Sequence, residues 1–387
     1  MKFLIKFFKW FAIILVSIIV LMYIFNVDYL LRAVRTIYFK GYTTAFLEDY
    51  KEFPNREIKK GIAQPWAIAS DYNSVPATQN LQNTHKELQT IAYLIIKNDS
   101  IWHESYFDGF DKNSKTNSFS MAKSVVTMAM GKAIMEGKMK SLDQKVTDFF
   151  PELKGKYAKE VTIGDLSSMA SGLSWDEKYY SPFSIVTRAY FDDNLNDVIL
   201  GLDIKEKPGQ SFKYLSGATQ LLAMCIEKAT GEYLSDYVSK HFWQPMGAEN
   251  EALWQLDEEP DGIEKAYCCI SSNARDFARF GKLYLNDGKW NGKQLLDSAF
   301  VKKCVTPRFE KSPEYGYGWW MHNFLGKDLY YMRGHLGQFV IVIPEDELII
   351  VRLGHLKGKQ TETDPHSNDL YVYVEEAYEM LKQRKKR

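Results

Sequence analysis

The sequence predicts an α+β architecture. It combines one antiparallel sheet flanked by helices, a second and mostly helical part, and an N-terminal transmembrane helix. Three observations carry that prediction. β-rich runs occur near residue 90 and return after residue 317, whereas the stretch between them is dominated by helical patterns. An uncharged, mostly apolar run from Trp10 to Phe25 follows Lys2, Lys6 and Lys9. Strands so far apart in the chain most economically share one sheet with helices laid on it. The corresponding division is 1–25 as a signal-anchor, 26–85 as a juxtamembrane segment and linker, 86–140 with 255–387 as the α/β part, and 141–254 as the helical part.

A helix needs about 20 apolar residues to cross a bilayer. Phe7, Phe8, Trp10 and Tyr23 extend the run of residues 10–25 to that length at its interfaces. Basic residues before the span place the N-terminus in the cytoplasm and export the remainder to the periplasmic or extracellular face. Residues 22–27 (Met-Tyr-Ile-Phe-Asn-Val) are bulky where a cleaved signal needs small side chains, so a single-pass anchor is preferred to a cleaved leader. A buried core helix fits less well, since only Ser17 interrupts the run. Residues 26–85 carry no recognisable chemistry, and 61–83 has the composition of a linker or an extended cover.

Residues 91–97 and 101–107 are β-rich runs split by Asn98-Asp99-Ser100, a hairpin signal. A helix over 120–136, apolar nearly all round and closed by Gly137, belongs between layers. Thr162-x-x-Asp165 has capping-box form and opens a short helix ending near Ser171-Gly172. Further helices are expected over 218–230, stopped by Gly231, and over 273–285, before the turn pairs Asp287-Gly288 and Asn291-Gly292. The runs 317–322, 329–332, 339–343 and 348–353 then read as strands whose short connections imply antiparallel pairing. A last helix spans 368–382, and a basic tail, 382–387, frays.

Lysine plus arginine (49) balance aspartate plus glutamate (49), so no electrostatic footprint for nucleic acid exists. Four cysteines, Cys225, Cys268, Cys269 and Cys304, are too few and too irregular for a disulfide scaffold or a zinc ribbon. They read as buried thiols, with one bridge left open.

Three motifs carry chemistry. Ser120-Met121-Ala122-Lys123 is the only S-x-x-K in the chain. On a helix its two ends share a face, so the Lys123 amine reaches the Ser120 hydroxyl. A lysine among Met and Val side chains is costly to keep protonated, and a neutral amine beside a serine makes a nucleophile. Tyr214-Leu215-Ser216-Gly217 follows the turn Pro208-Gly209. A tyrosine there, close to a lysine ammonium, is open to a phenolate form and general-base work. Arg333-Gly334-His335-Leu336-Gly337-Gln338 lies between two β-runs. A backbone N–H from such a strand, with that of Ser120, forms an oxyanion hole worth about 3 kcal/mol per donor.

In this order the three pieces resemble the serine β-lactamase and penicillin-binding protein superfamily, specifically its class C-like, esterase and 6-aminohexanoate-dimer hydrolase branch. The resemblance spans roughly residues 80–380 and includes 161–176, 208–231, 272–292 and 315–320 besides the motifs. It implies a β-lactamase/transpeptidase-like fold, Ser120 and Lys123 as the nucleophile pair, and Tyr214 with Ser216 in the place of Y-x-N. His335-Leu336-Gly337 takes the place of K-T-G, and Gln338 supplies the second oxyanion N–H. Tyr179 or Tyr180 matches a tyrosine that some members place in the loop after S-G-L-x-W.

Two departures bear on substrate. Ser216 stands where β-lactamases usually have Asn, and His335 replaces a lysine that helps hold a penicillin's carboxylate. A histidine near its ordinary pKa is a poorer anion anchor at pH 7; Arg333 is the possible substitute. Both changes favour esters or small amides over β-lactams. The expectation is therefore a membrane-anchored serine hydrolase acting on a small-molecule ester or amide through an acyl-enzyme, with no metal or cofactor. The rivals are a β-lactam- or peptidoglycan-directed enzyme and a retired binding or sensor protein. HExxH, HxHxD and GxSxG motifs and a phosphate loop do not occur.

Overall fold

The computed structural model describes residues 1–384. Its main sheet has seven strands, in the order Trp320–Phe324, Lys327–Gly334, Gln338–Ile343, Leu348–Gly354, Thr90–Lys97, Ser100–Tyr106 and Ala67–Ile68. Every pairing is antiparallel except that of the short last strand. The hairpin signal at 98–99 is real: Asn98 and Asp99 adopt φ of 49° and 62°, the paired left-handed geometry whose twist suits a two-residue hairpin. The two ends of the chain then meet where Ile350 pairs with Ile95.

Side chains alternate across these strands and bury both faces. Leu94, Ile96, Val340, Val342, Ile349 and Val351 join the large core beneath Ala122–Met135 and Ala274–Leu285. Tyr93, Ile95, Ile341 and Ile350 pack instead with Tyr373, Val374 and Ala377 of the last helix, Asn368–Arg384. This two-sided burial is the helix-flanked sheet expected from the sequence.

Boundaries moved where glycines allow close approach. The strand expected from 317 begins at Trp320, because Gly318, at φ 75°, passes so near the helix of residues 122–135 that a Cβ would lie 2.5 Å from Thr127 Oγ1. The helix expected over 120–136 opens with a tight 3-10 turn, Phe119–Met121, and becomes α-helical over Ala122–Met135. The Thr162/Asp165 capping box is present, but its helix stops at Ser167. The final helix continues to Arg384; the last three residues of the expected basic tail lie outside the described residues.

The largest departure concerns 26–85. In place of a linker, this stretch supplies a helix, Tyr29–Thr36, a second helix, Gln79–Glu87, and a strand, Asn55–Ile58. That strand edges a second sheet with Ala252–Gln255, Ile270–Ser272 and Thr116–Asn117. Polar composition hid it, because burial rests on a few side chains such as Ile58 and Leu47. Cys268 and Cys269 are joined to each other, and Cys225 and Cys304 are buried thiols. The helix Lys2–Ile24 buries none of its residues, and its length and apolar composition make it a candidate membrane span.

Candidate active site

Ser120 is delivered by a turn held from both sides. Asn117 N–H donates to the Leu47 carbonyl at 2.7 Å, and Ser118 exchanges two hydrogen bonds with the backbone of Ile270, at 2.7 and 3.2 Å. The Asn117 side chain accepts from Phe119 N–H at 2.8 Å. Phe119 itself sits at φ 46°, a conformation that costs a residue with a Cβ and persists only where its surroundings enforce it. The result places Ser120 just ahead of Ala122–Met135, where free N–H groups favour developing negative charge.

Lys123 lies 2 % exposed, one turn further on. Its Nζ is 2.9 Å from Ser120 Oγ and 2.7 Å from the carbonyl oxygen of Tyr267. Burial pulls the amine down from the usual lysine range to about 7, against the opposing pull of the Glu177 carboxylate. A neutral amine so placed donates one N–H to Tyr267 and turns its lone pair to the serine hydroxyl.

Tyr214 comes in from the loop before the helix Ser216–Thr230, its ring 5.2 Å from Lys123 Nζ. Trp320 and Tyr315 flank that ring, with centroids 5.7 and 6.4 Å away. Burial, and next the Glu177 charge, push the phenol above its ordinary pKa, while a hydrogen bond with Ser120 pulls the other way. The surroundings therefore keep Tyr214 as a protonated phenol at neutral pH. The phenolate expected from the sequence is disfavoured, and Lys123 is the member of the pair whose proton is easily lost.

Glu177, which sequence reasoning did not single out, organises the loop opposite. Its carboxylate accepts from the Trp175 indole at 2.9 Å, from Ser216 Oγ at 3.1 Å, and from the Ser216 N–H and the Tyr179 hydroxyl. The Tyr179 ring stacks on His335 at 5.6 Å, and Tyr180 is largely exposed. Burial, helped by the nearby Lys357, lowers His335 to about 4, so its ring is neutral at pH 7. Because Glu177 favours the Lys123 ammonium, Glu177→Gln should move the acid limb of the kcat/KM profile for p-nitrophenyl acetate to lower pH. A limb left in place would contradict that electrostatic link.

Gln338 sits elsewhere than the sequence reading assumed. Strand Lys327–Gly334 ends at Gly334, which pairs with Gln338 across a three-residue turn whose Leu336 and Gly337 have φ of 62° and 79°. Gln338 is thus on the return strand, fully buried. Its side-chain amide donates to the carbonyls of His335 at 3.0 Å and Gly354 at 2.7 Å, and accepts from Gly354 N–H at 3.0 Å. Arg352 donates to the carbonyls of Leu336 and Gly337, both at 2.9 Å, and a Cβ on Gly337 would meet it at 2.6 Å. Gln338 and Gly337 brace the turn from behind, and His335 is the part of it that faces Ser120 across the cleft.

Two cavities meet at Ser120. One runs past His335, Tyr179 and Tyr180 to residues 33–45. The other is walled by Glu177, Tyr214, Trp320, Arg333, Lys357 and Gln360.

A family model described as Beta-lactamase matches residues 77–372. The 6-aminohexanoate-dimer hydrolase of Paenarthrobacter ureafaciens is 26% identical over 237 residues, covering 59% of this chain and 60% of the relative. Protein flp of Staphylococcus aureus (strain MW2) is 26% identical over 318 residues, covering 72% of this chain and 62% of its own. The chain therefore spans about three fifths of the length of each. Among solved structures, a putative 6-aminohexanoate-dimer hydrolase from Bacillus anthracis superposes with a TM-score of 0.69 over 87% of this chain and 92% of that one. At 22% identity, that likeness speaks to the fold alone.

Proposed function

The chain belongs to the beta-lactamase family, and from that premise we propose that it is a serine hydrolase that cleaves an ester or small amide through an acyl-enzyme on Ser120, anchored in a membrane by Lys2–Ile24. The observation that carries this reading is the buried Lys123 amine, titrating near 7 at 2.9 Å from the Ser120 hydroxyl. As Ser120 Oγ bonds to the substrate carbonyl carbon, its proton passes to Lys123 Nζ. The oxyanion takes hydrogen bonds from the N–H of Ser120 and from that of His335, the turn residue on the cleft wall. Collapse of the intermediate breaks the bond to the leaving group, which takes the bonding pair and a proton from the Tyr214 phenol, and Lys123 reprotonates the phenol. Water then repeats the sequence on the acyl-enzyme, with the Lys123–Tyr214 pair receiving its proton.

Ester or small-amide chemistry is favoured because Ser216 spends its hydroxyl on Glu177 and His335 is uncharged. A second reading, a β-lactam- or D-Ala-D-Ala-directed enzyme, draws support from Arg333 and Lys357, which bring cations to the second cavity for a carboxylate. The full chain should be assayed with p-nitrophenyl acetate, an ω-amino-acid dimer, a D-Ala-D-Ala peptide and a chromogenic cephalosporin. The expected kcat/KM for the ester exceeds that for the cephalosporin by at least about a hundredfold. The reverse order would favour the second reading, and fluorophosphonate labelling without turnover of any substrate would favour a sensor.

A further inference from the structure

Resting on the acyl-enzyme reading above, we propose that the acyl half of the substrate carries a long apolar chain, and that this chain lies in the cavity between Ser120 and residues 33–45. Four observations converge on it.

The first is chemical asymmetry. Among the described residues, no Asp, Glu, Lys or Arg lines this cavity, whereas the cavity on the other side of Ser120 carries Glu177, Arg333 and Lys357. Away from the serine the walls are side chains such as Ala33, Ile37, Val186 and Phe191. The polar groups along it are uncharged: Thr43, Thr44, Ser181 and Thr187 line it, Thr187 spends its hydroxyl on the Ser181 carbonyl at 2.8 Å, and at the catalytic end Ser216 is engaged by Glu177 and His335 is neutral. A charged or strongly polar acyl group would lose its hydration here without a partner. A chain of methylenes gains about fourfold in binding for each one removed from water.

The second is that the outer wall is built, not draped. Tyr29 donates to the Pro182 carbonyl at 3.2 Å and Arg32 to the Asp257 carbonyl at 3.0 Å, fixing Tyr29–Thr36 at two points far apart in the chain. Further along, Asp49 accepts from the Tyr190 hydroxyl at 2.6 Å and from the side-chain amides of Asn117 at 2.9 Å and Gln255 at 2.8 Å. Through Asn117 the same network holds the turn that presents Ser120.

The third is the position of the mouth. Tyr38 and Tyr180 line the cavity and are also exposed, at 53% and 72%. Phe39, the residue after Tyr38, and Phe183, three residues after Tyr180, are 80% and 76% exposed. Exposed aromatic rings of this kind favour the headgroup zone of a bilayer. The fourth is connectivity: this rim begins fourteen residues after Ile24, the end of the apolar helix.

The test uses the full chain in lipid nanodiscs. The kcat/KM of the p-nitrophenyl decanoate ester should exceed that of the acetate at least about tenfold. Narrowing the cavity with Val186→Trp or Ala45→Trp should cut that ratio at least tenfold, with thermal unfolding used to verify each variant's fold. A decanoate-to-acetate ratio near one in the wild type, or one unmoved in both folded variants, would overturn the proposal while leaving the hydrolase reading intact. If no ester is turned over, that reading fails instead, and binding decides the pocket. Ser120→Ala should bind dansylaminoundecanoic acid, and the added Ala45→Trp should weaken it at least tenfold; no binding would overturn the proposal. Palmitoyl ester preloaded in the enzyme's own discs or in separate vesicles distinguishes the sources. Faster turnover in the first identifies the bilayer, and equal turnover identifies the aqueous phase.

Discussion

Ser120→Ala should lower kcat for p-nitrophenyl acetate at least about ten-thousand-fold, because in the proposed mechanism the oxygen removed is the one that becomes acylated. Its stability should be nearly unchanged. Ser120 is only partly buried, and Lys123 keeps its hydrogen bond to the Tyr267 carbonyl when the hydroxyl is gone. A melting temperature within about two degrees of wild type is therefore expected. Activity surviving this change in a folded protein would move the nucleophile elsewhere.

The second large effect belongs to Lys123→Met. Losing a positioned base costs about 100- to 10,000-fold. Wild-type kcat/KM should fall tenfold per pH unit below about 7 as Lys123 takes up its proton, and the residual activity of the variant should lack that limb. Stability should move the other way. Burial depresses the folded-state pKa of Lys123 from 10.5 to about 7, so between those values the unfolded chain holds the extra proton and wild-type stability rises with pH. Methionine has no proton to lose. Its stabilising advantage over wild type should be fullest at or below about pH 7 and should shrink as pH rises toward 10.5. Lys265, also depressed to about 7 by burial, titrates in both proteins, so the difference between them isolates Lys123. Denaturant unfolding at several pH values would read it, and an advantage growing with pH would contradict the assignment.

Much of the frame was legible because it rests on local signals. Asn98-Asp99 marked a hairpin, Gly137 and Gly231 ended helices at φ of 71° and 72°, and Thr162 with Asp165 made the capping box. The spacing of Ser120 and Lys123 translated into contact because one helical turn separates them. Tyr214 reached the pair through the motif order, not through any local pattern.

What stayed hidden depends on three-dimensional neighbours. Glu177 is one acidic loop residue among many until Ser216, thirty-nine positions away, is seen to bond it. The Tyr267 carbonyl that holds Lys123 is backbone and has no sequence signature. Gln338 was misplaced because a motif gives order but not register: the turn at 335–337 put that residue on the returning strand. Residues 33–45 read as a juxtamembrane segment because apolar and basic residues are mixed there, and only the fold shows that Ala33 and Ile37 wall a cavity ending at Ser120.

Acid-quenched reactions with a slowly deacylating p-nitrophenyl ester, read by intact-protein and peptide mass spectrometry, probe the covalent step itself. The chain should gain one acyl mass on the peptide containing Ser120, at a rate that falls as pH drops below about 7. No adduct in Ser120→Ala is the matching expectation. An adduct at another residue, or turnover with none on Ser120, would contradict the account.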